Sequence, residues 1–361
     1  MAKFRILSID GGGIRGVVPG TIVVALEQKI IKKTGNPDAK IADYFDMIAG
    51  TSTGGILTCI YLTPGNTSEP SLPRPKYSAQ EALNIYLKDG NKVFALDRAQ
   101  RLRSGDGILD EKYSAVNLET LLFQYLGDTK LSQLLKPCLV TSYDIQRGKP
   151  KFFTQHDAVE CGDSNDFLVK QVARSTSAAP TFFEVSLAKS LSGVSYPLVD
   201  GGVFANNPSL CAYAEVQAKF FKTPDGFILK CKAGDKKKEE LSEITAKDML
   251  ILSLGTGRTA LNYDYNKAKN WGLAEWPKPL IEIMMMGVSQ TVDYQLQQIY
   301  DSINQQKNYL RIDPMLTKPK MVQMDNATPT NIQDLKELGT EAAELNSRKL
   351  DDFVDMLLQQ S

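Results

Sequence analysis

Gly50-Thr51-Ser52-Thr53-Gly54 has the G-x-S-x-G spacing of a nucleophile elbow, in which a strand, a tight turn and a helix hold a serine hydroxyl clear of the fold. Met47-Ile48-Ala49 supplies the apolar strand before it, and Gly55 to Leu62 supplies the helix after it. A serine hydroxyl is a weak nucleophile and needs a base. In the familiar chain order of serine, acid and histidine, the histidine comes last. The only histidine here, His156, precedes the obvious acid candidate, Asp200, which closes the strand-like run Tyr196 to Val199. The pattern points to a serine hydrolase that works without histidine. Taken singly, Ser52 also reads as a helix N-cap and Asp200 as a turn former.

Two further segments bear on the chemistry. Gly11, Gly13 and Gly16 follow the strand Phe4 to Ile9 and formally satisfy G-x-G-x-x-G. As a dinucleotide fingerprint this is weak: a ribose-binding acid should close a second strand about 20 residues on, and Asp38 follows Pro37 in a loop with no strand before it. The same glycines serve better as an oxyanion hole, since backbone N–H groups without side chains can approach a reacting oxygen at a helix N-terminus. Arg174-Ser175-Thr176-Ser177-Ala178-Ala179-Pro180 alone reads as a helix-to-strand turn.

These groups need elements to position them. Apolar spacing predicts helices over Val17–Lys33, Ile41–Phe45, Asn117–Leu126 and Phe167–Ala173, and from a Ser78 start to Lys88. Strands are expected at Pro137–Tyr143, Pro150–Thr154, Thr181–Val185, Tyr196–Val199 and Met249–Leu254. Ile281 to Ile299 marks one face of a long helix, with Met284, Met285 and Met286 expected as core packing, and Leu350, Phe353, Val354 and Leu357 mark another. Thr63–Lys76, Arg98–Tyr113 and Lys232–Glu240 are expected as a loop, a flap and a solvated charge run. Leu102–Leu109 and Trp271–Ile283 carry apolar residues that could touch lipid. Strands alternating with helices imply an α/β fold with a mostly parallel sheet covered on both faces. One domain over residues 1–361 is expected, with its motifs in 4–257 and a helical part at 279–361.

Lys+Arg and Asp+Glu are both 42, so the chain has no net charge and nothing that calls for a nucleic-acid polymer. The N-terminus lacks a signal pattern, and no stretch of about 18 apolar residues would span a bilayer. Five scattered cysteines, Cys59, Cys138, Cys161, Cys211 and Cys231, read as free thiols of a reducing compartment, and one histidine with no C-x-x-C gives no metal site. A cytoplasmic location is expected.

In order, D-G-G-G-x-R-G at Asp10, G-x-S-x-G at Gly50, the Arg174–Pro180 segment and D-G-G at Asp200 resemble the patatin-like phospholipase family. The resemblance runs from Phe4 to about Gly257. It implies a three-layer α/β/α sandwich and hydrolysis of acyl esters in phospholipids through a Ser-Asp dyad. Ser52 would be the nucleophile and Asp200 its proton acceptor. Gly11, Gly12, Gly13 and Arg15 would lie in the oxyanion-hole segment, with backbone N–H groups as donors and Thr53 N–H adding another. No metal or organic cofactor is implied. The phospholipid membrane would be a peripheral partner as substrate. A bare intracellular chain of this kind also resembles bacterial effectors of anti-phage signalling, which a cyclic di- or trinucleotide activates. No residue motif marks a nucleotide pocket, and a constitutive lipid acyl hydrolase or an inactive storage or binding protein stands as the alternative. Acyl position, head group and oligomeric state are left open.

Overall fold

Alternation of apolar side chains along four central strands decides the architecture. In the computed structural model, which describes residues 3–65, 73–94, 112–224, 226–232, 234, 240–259, 263–272 and 275–359, these strands are β1 (Phe4–Ile9), β2 (Met47–Thr51), β3 (Cys138–Asp144) and, later in the chain, β10 (Met249–Leu254). Leu7, Ile48, Val140 and Leu252 face one hydrophobic cluster, while Ile6, Met47, Leu139 and Ile251 face another. A strand of period two that is apolar on both sides must be covered on both sides. Helices α1 (Val17–Thr34), α2 (Ile41–Tyr44), α3 (Thr53–Leu62) and α4 (Ala79–Val93) cover the first face with the two C-terminal helices Pro329–Leu345 and Ser347–Leu358. Ser209–Lys219 and the long helix Pro277–Ser302 cover the second. The result is a three-layer α/β/α sandwich.

The remaining strands are β4 (Lys149–Thr154), β5 (Ser186–Lys189), β6 (Ser195–Asp200) and β11 (Tyr309–Ile312), with β7 (Phe220–Thr223), β8 (Gly226–Leu229) and β9 (Ser242–Glu243) forming a separate small sheet. The main sheet runs β11-β10-β1-β2-β3-β6-β5, parallel from β11 to β3, with β4, β5 and β6 antiparallel. Ile48 to Thr51 of β2 pair with Cys138 to Thr141 of β3, and Leu198 to Asp200 of β6 pair with Ser142 to Asp144. Since β4 runs along β3 from Leu139 to Asp144, β2 and β6 share the other edge and meet end to end there.

Local signals place several boundaries. Ser78 caps α4 in a reciprocal box with Glu81, whose N–H donates to Ser78 Oγ at 3.2 Å while Ser78 N–H donates to Glu81 Oε2 at 2.8 Å. Gly35 ends α1 at a left-handed φ of 67°. Two expectations are corrected. Thr181–Val185 is a turn, not a strand: Phe182 and Phe183 N–H both donate back to Ala179 O, and the strand begins only at Ser186. Met284 is 45% exposed and Met285 and Met286 are half-buried, none of them core, because the first half of their helix overhangs cavities described below. Residues 98–111 of the expected flap, all of 102–109 and most of the 232–240 charge run lie outside the described residues. Among those described, no helix is long and apolar enough to cross a membrane.

The shared edge of β3 tolerates no bulk. A Cβ on Gly201 would come within 2.0 Å of Thr141 Oγ1. Gly201→Ala should therefore push the end of β6 off β3 and destabilise the fold by about 1–3 kcal/mol. A urea titration would register this as a lower midpoint with unchanged slope, and a wild-type midpoint would contradict it.

Candidate active site

Thr51 closes β2 opposite Thr141, and Asp200 closes β6 opposite the next residue, Ser142. Two strand ends that meet on adjacent β3 residues bring Ser52 and Asp200 together. Ser52 sits in the turn at φ 55° and ψ −123°, a conformation rarely adopted by residues other than glycine, and α3 starts at once behind it. Such strain costs of order 1–3 kcal/mol and persists only where neighbours enforce it. The enforcing contacts are close. A Cβ on Gly50 would meet Gly54 O at 2.2 Å, and one on Gly54 would meet Ile9 O at 2.1 Å. Thr51 Oγ1 is tied to Ala205 O at 2.6 Å and to Thr141 Oγ1 at 2.7 Å.

The turn after the helix Val169–Thr176 holds both partners. Thr176 Oγ1 accepts the Ser52 N–H at 2.8 Å, and Ala178 O accepts the Asp200 N–H at 2.9 Å. Taken alone, the sequence of this segment reads as a helix-to-strand turn. The signal that could have separated it is its hydroxyl density just before a proline, which suits side chains that bond backbone at a crowded junction.

Asp200 is buried and has no cationic partner among the described residues. Burial pushes its carboxyl up from the ordinary 3.8 to about 7, while the facing Ser52 hydroxyl and the Gly202 N–H, which donates to Oδ1 at 2.7 Å, keep it from rising further. The site is thus poised to hold or release one proton near neutrality.

The glycine loop passes beside this pair. A Cβ on Gly11 would lie 3.2 Å from Ser52 Cβ and 2.4 Å from Asn206 Oδ1. Gly12, Gly13, Ser52, Thr53 and Asp200 all line one cavity of about 160 Å³. The N–H groups of Gly12 and Gly13 have no hydrogen-bond partner among the described residues. Gly11 differs: its N–H already donates to Asn206 O at 3.0 Å. Arg15 differs too. Its Nε donates to Gly12 O at 3.3 Å, and its side chain lines a second cavity of about 40 Å³ rather than the one holding Ser52.

The loop is anchored by a residue the sequence reading missed. Arg311 on β11 clamps Asp10 with two bonds of 2.8 and 2.6 Å, both side chains being buried. A buried carboxylate is stabilised in its charged form by such a cation, but nothing in the sequence says which of 42 basic residues supplies it. His156 lies apart from the cavity. It is buried, with Nε2 at 2.8 Å from Glu215 Oε1 and its ring against Phe220. With Asp157 and Glu215 it brings three ligand-type atoms within 4.8 Å of one another, a grouping the sequence spacing did not reveal. Asp157 is already engaged by Lys219 at 2.8 Å and by Thr154 at 2.8 Å.

A buried carboxyl with a raised pKa has a stability signature. The native state keeps its proton up to about pH 7, whereas the unfolded chain releases it near 3.8. The native form binds more protons in that window, so stability falls as pH rises through it. Asp200→Asn, neutral at every pH, should be more stable than wild type at pH 8 by up to a few kcal/mol, at about 1.4 kcal/mol per pKa unit, and nearly equal at pH 3.5. Thermal melts at both values check this, and a gap independent of pH would refute it.

Comparison with known proteins agrees with this geometry. The family model described as patatin-like phospholipase matches residues 7–212. Patatin-like protein 3 of Arabidopsis thaliana is 34% identical over 354 residues, covering 92% of this chain and 79% of that protein. Patatin-T5 of Solanum tuberosum is 32% identical, covering 92% and 82%. A third relative, 33% identical over 92% of this chain and 84% of its own length, is named probable inactive patatin-3-Kuras 1 of Solanum tuberosum. The matched span holds Ser52, Asp200 and the glycine loop from Asp10 to Arg15, and the chain belongs to the patatin-like phospholipase family.

Proposed function

We propose that the protein is a lipid acyl hydrolase that cleaves phospholipid acyl esters through a Ser52–Asp200 dyad. The observation that carries this reading is a strained serine facing a buried, unpaired carboxyl at the head of a cavity whose walls are almost wholly apolar. Ser52 Oγ attacks the acyl carbonyl while Asp200 takes its proton. The N–H groups of Gly12, Gly13 and Thr53 receive the oxyanion; one such donor is worth roughly 3–4 kcal/mol elsewhere. The C–O bond to the alcohol breaks, Asp200 returns the proton to the leaving lysolipid, and an acyl-enzyme remains. Water then attacks with Asp200 again as base, releasing the fatty acid and restoring Ser52. Only the ionised carboxylate can start the cycle, and at pH 7 a group titrating near 7 is about half ionised.

Contact with lipid is proposed to be peripheral. Trp276, Leu280 and Met284 are exposed apolar residues on or next to the helix that overhangs the cavity, and Met284 also lines it. Vesicle co-sedimentation should show weaker binding by Trp276→Ala, and unchanged binding would remove this surface from the interface.

Ser52→Ala should label with no fluorophosphonate and hydrolyse no ester, and Asp200→Asn should lose at least 100-fold in kcat/KM, within the usual range for general bases of about 10²–10⁴. His156→Ala should keep most activity if it folds. The wild-type kcat/KM should rise with pH to a plateau, with an apparent pKa near 7. Retained turnover in Ser52→Ala, or a His156→Ala loss as deep as its own, would sink the dyad. Absence of labelling and turnover in wild type would leave an inactive member of the family. Activation by a cyclic di- or trinucleotide, with an anti-phage role, remains a proposal resting on the sequence resemblance. It requires phospholipid hydrolysis to rise at least roughly tenfold on adding the right nucleotide, a modest part of a full population shift. Full activity without any nucleotide, and no response to a panel of them, would make the enzyme constitutive.

A further inference from the structure

Three helices give the cavity a long apolar limb. On α3, Thr53, Ile56 and Ile60 recur at i, i+3 and i+7, share one face, and all line the cavity. On α4, Tyr86, Gly90 and Val93 do the same with i, i+4 and i+7 spacing. The third wall is the helix Val116–Leu126, through Leu118, Leu122 and Tyr125. This helix is fastened to α4 at both ends. Asn117 Nδ2 donates to Lys92 O at 3.1 Å, and Tyr125 Oη donates to Asp89 Oδ2 at 2.5 Å.

The polar tips in these walls are already engaged. Tyr86 Oη receives the Thr53 hydroxyl at 2.7 Å and donates to Thr53 O at 3.0 Å, and Tyr125 Oη is held by Asp89. What remains facing the limb is hydrocarbon, which favours a ligand that brings no hydrogen bonds of its own. Ile60 is the last α3 residue to line it. It lies eight residues beyond Ser52, about 12 Å along the helix axis at 1.5 Å per residue.

We infer that the acyl chain of the substrate lies along this limb and that Ile60 limits its length. The inference rests on Ser52 as nucleophile. With a C–C bond near 1.5 Å, an extended chain advances roughly 1.3 Å per carbon, so about nine carbons reach Ile60. Each methylene placed in the limb should strengthen binding about fourfold, at roughly 0.8 kcal/mol per buried CH₂. Beyond about ten carbons the gain should level off. Enlarging Ile60 should raise the floor and reject long chains without touching the chemistry above it.

The test is the chain-length profile of kcat/KM on p-nitrophenyl butyrate, octanoate, decanoate and palmitate. Wild type should climb from butyrate to decanoate and then flatten. Ile60→Phe should keep butyrate hydrolysis within about twofold and lose at least roughly tenfold on decanoate, the equivalent of about two excluded methylenes. Leu121→Trp, at a half-buried position on the facing helix, carries the same expectation should Ile60→Phe fail to fold. A uniform loss at all lengths, or an unchanged profile in both variants, would overturn the assignment. Thermal shift by free fatty acids on Ser52→Ala protein separates this idea from the proposed function. If wild type turns over no ester, the hydrolase reading fails, yet stabilisation by decanoate over butyrate that Ile60→Phe abolishes would still establish the limb. Equal shifts by all acids would refute it.

Discussion

One edge of β3 carries the site. Thr141 and Ser142 are consecutive, and each pairs with the last residue of a different strand, Thr51 of β2 and Asp200 of β6. Strand pairing fixes positions to a fraction of the 3.3 Å residue spacing. Two groups 148 residues apart in sequence are therefore placed by the same few backbone hydrogen bonds that hold the sheet. A slip of one residue in either pairing would turn its strand's side chains to the opposite face. The Ser52 turn and the Gly201 contact on Thr141 follow from this shared edge. So does the Thr176–Ala178 turn, which bonds both strand ends at once.

Two buried aspartates in this neighbourhood have opposite circumstances. Asp10 is clamped by Arg311 through two hydrogen bonds, and Arg311 also reaches Ser253 and Asp313. Removing one member of such a pair is costly because the other is left charged and alone, so the clamp holds the glycine loop where its N–H groups border the cavity. Among the described residues, Asp200 has only a hydroxyl and one N–H. Lack of a cation leaves its proton affinity high. A base that must take a proton from serine gains from that affinity; burial raises the Asp10 carboxyl too, but there the Arg311 guanidinium pulls it part of the way back. The fold thus secures its loop through an ion-paired carboxylate and leaves its reactive carboxyl without a cation among the described residues.

Much of this is legible in the sequence. Strands β1 and β10 and helix α1 are readable because apolar periodicity and a glycine stop agree there, and α3 because the elbow pattern calls for a helix behind its serine. Ser52 stands out by its G-x-S-x-G spacing, and Asp200 because it ends an apolar run just before two glycines. Other features depend on partners far away in the chain. Thr181–Val185 is β-branched and aromatic, as a strand should be, but Ala179 O captures two of its N–H groups and turns it. The helix Ser209–Lys219 is absent from the sequence reading; Asn207 Oδ1 and the proline start it, with Ser209 N–H bonded at 3.0 Å. Arg311 could not be chosen from among the basic residues, since only the pairing of β10 with β11 brings it to Asp10.

The long helix Pro277–Ser302 shows why periodicity alone misleads at a functional surface. Its apolar face was expected to be core, and at Leu296 and Tyr300 it is. Toward its start the same face leaves the sheet, so that Ile281, Met284 and Met285 border the cavity while Trp276, Leu280 and Ile283 are exposed. A stripe cannot report whether it meets protein or empty space. Methionine suits the second case, since its unbranched thioether can repack around ligands of varied shape. An apolar stripe that is core at one end of a helix and cavity wall at the other ties the mouth of the site to the second hydrophobic layer.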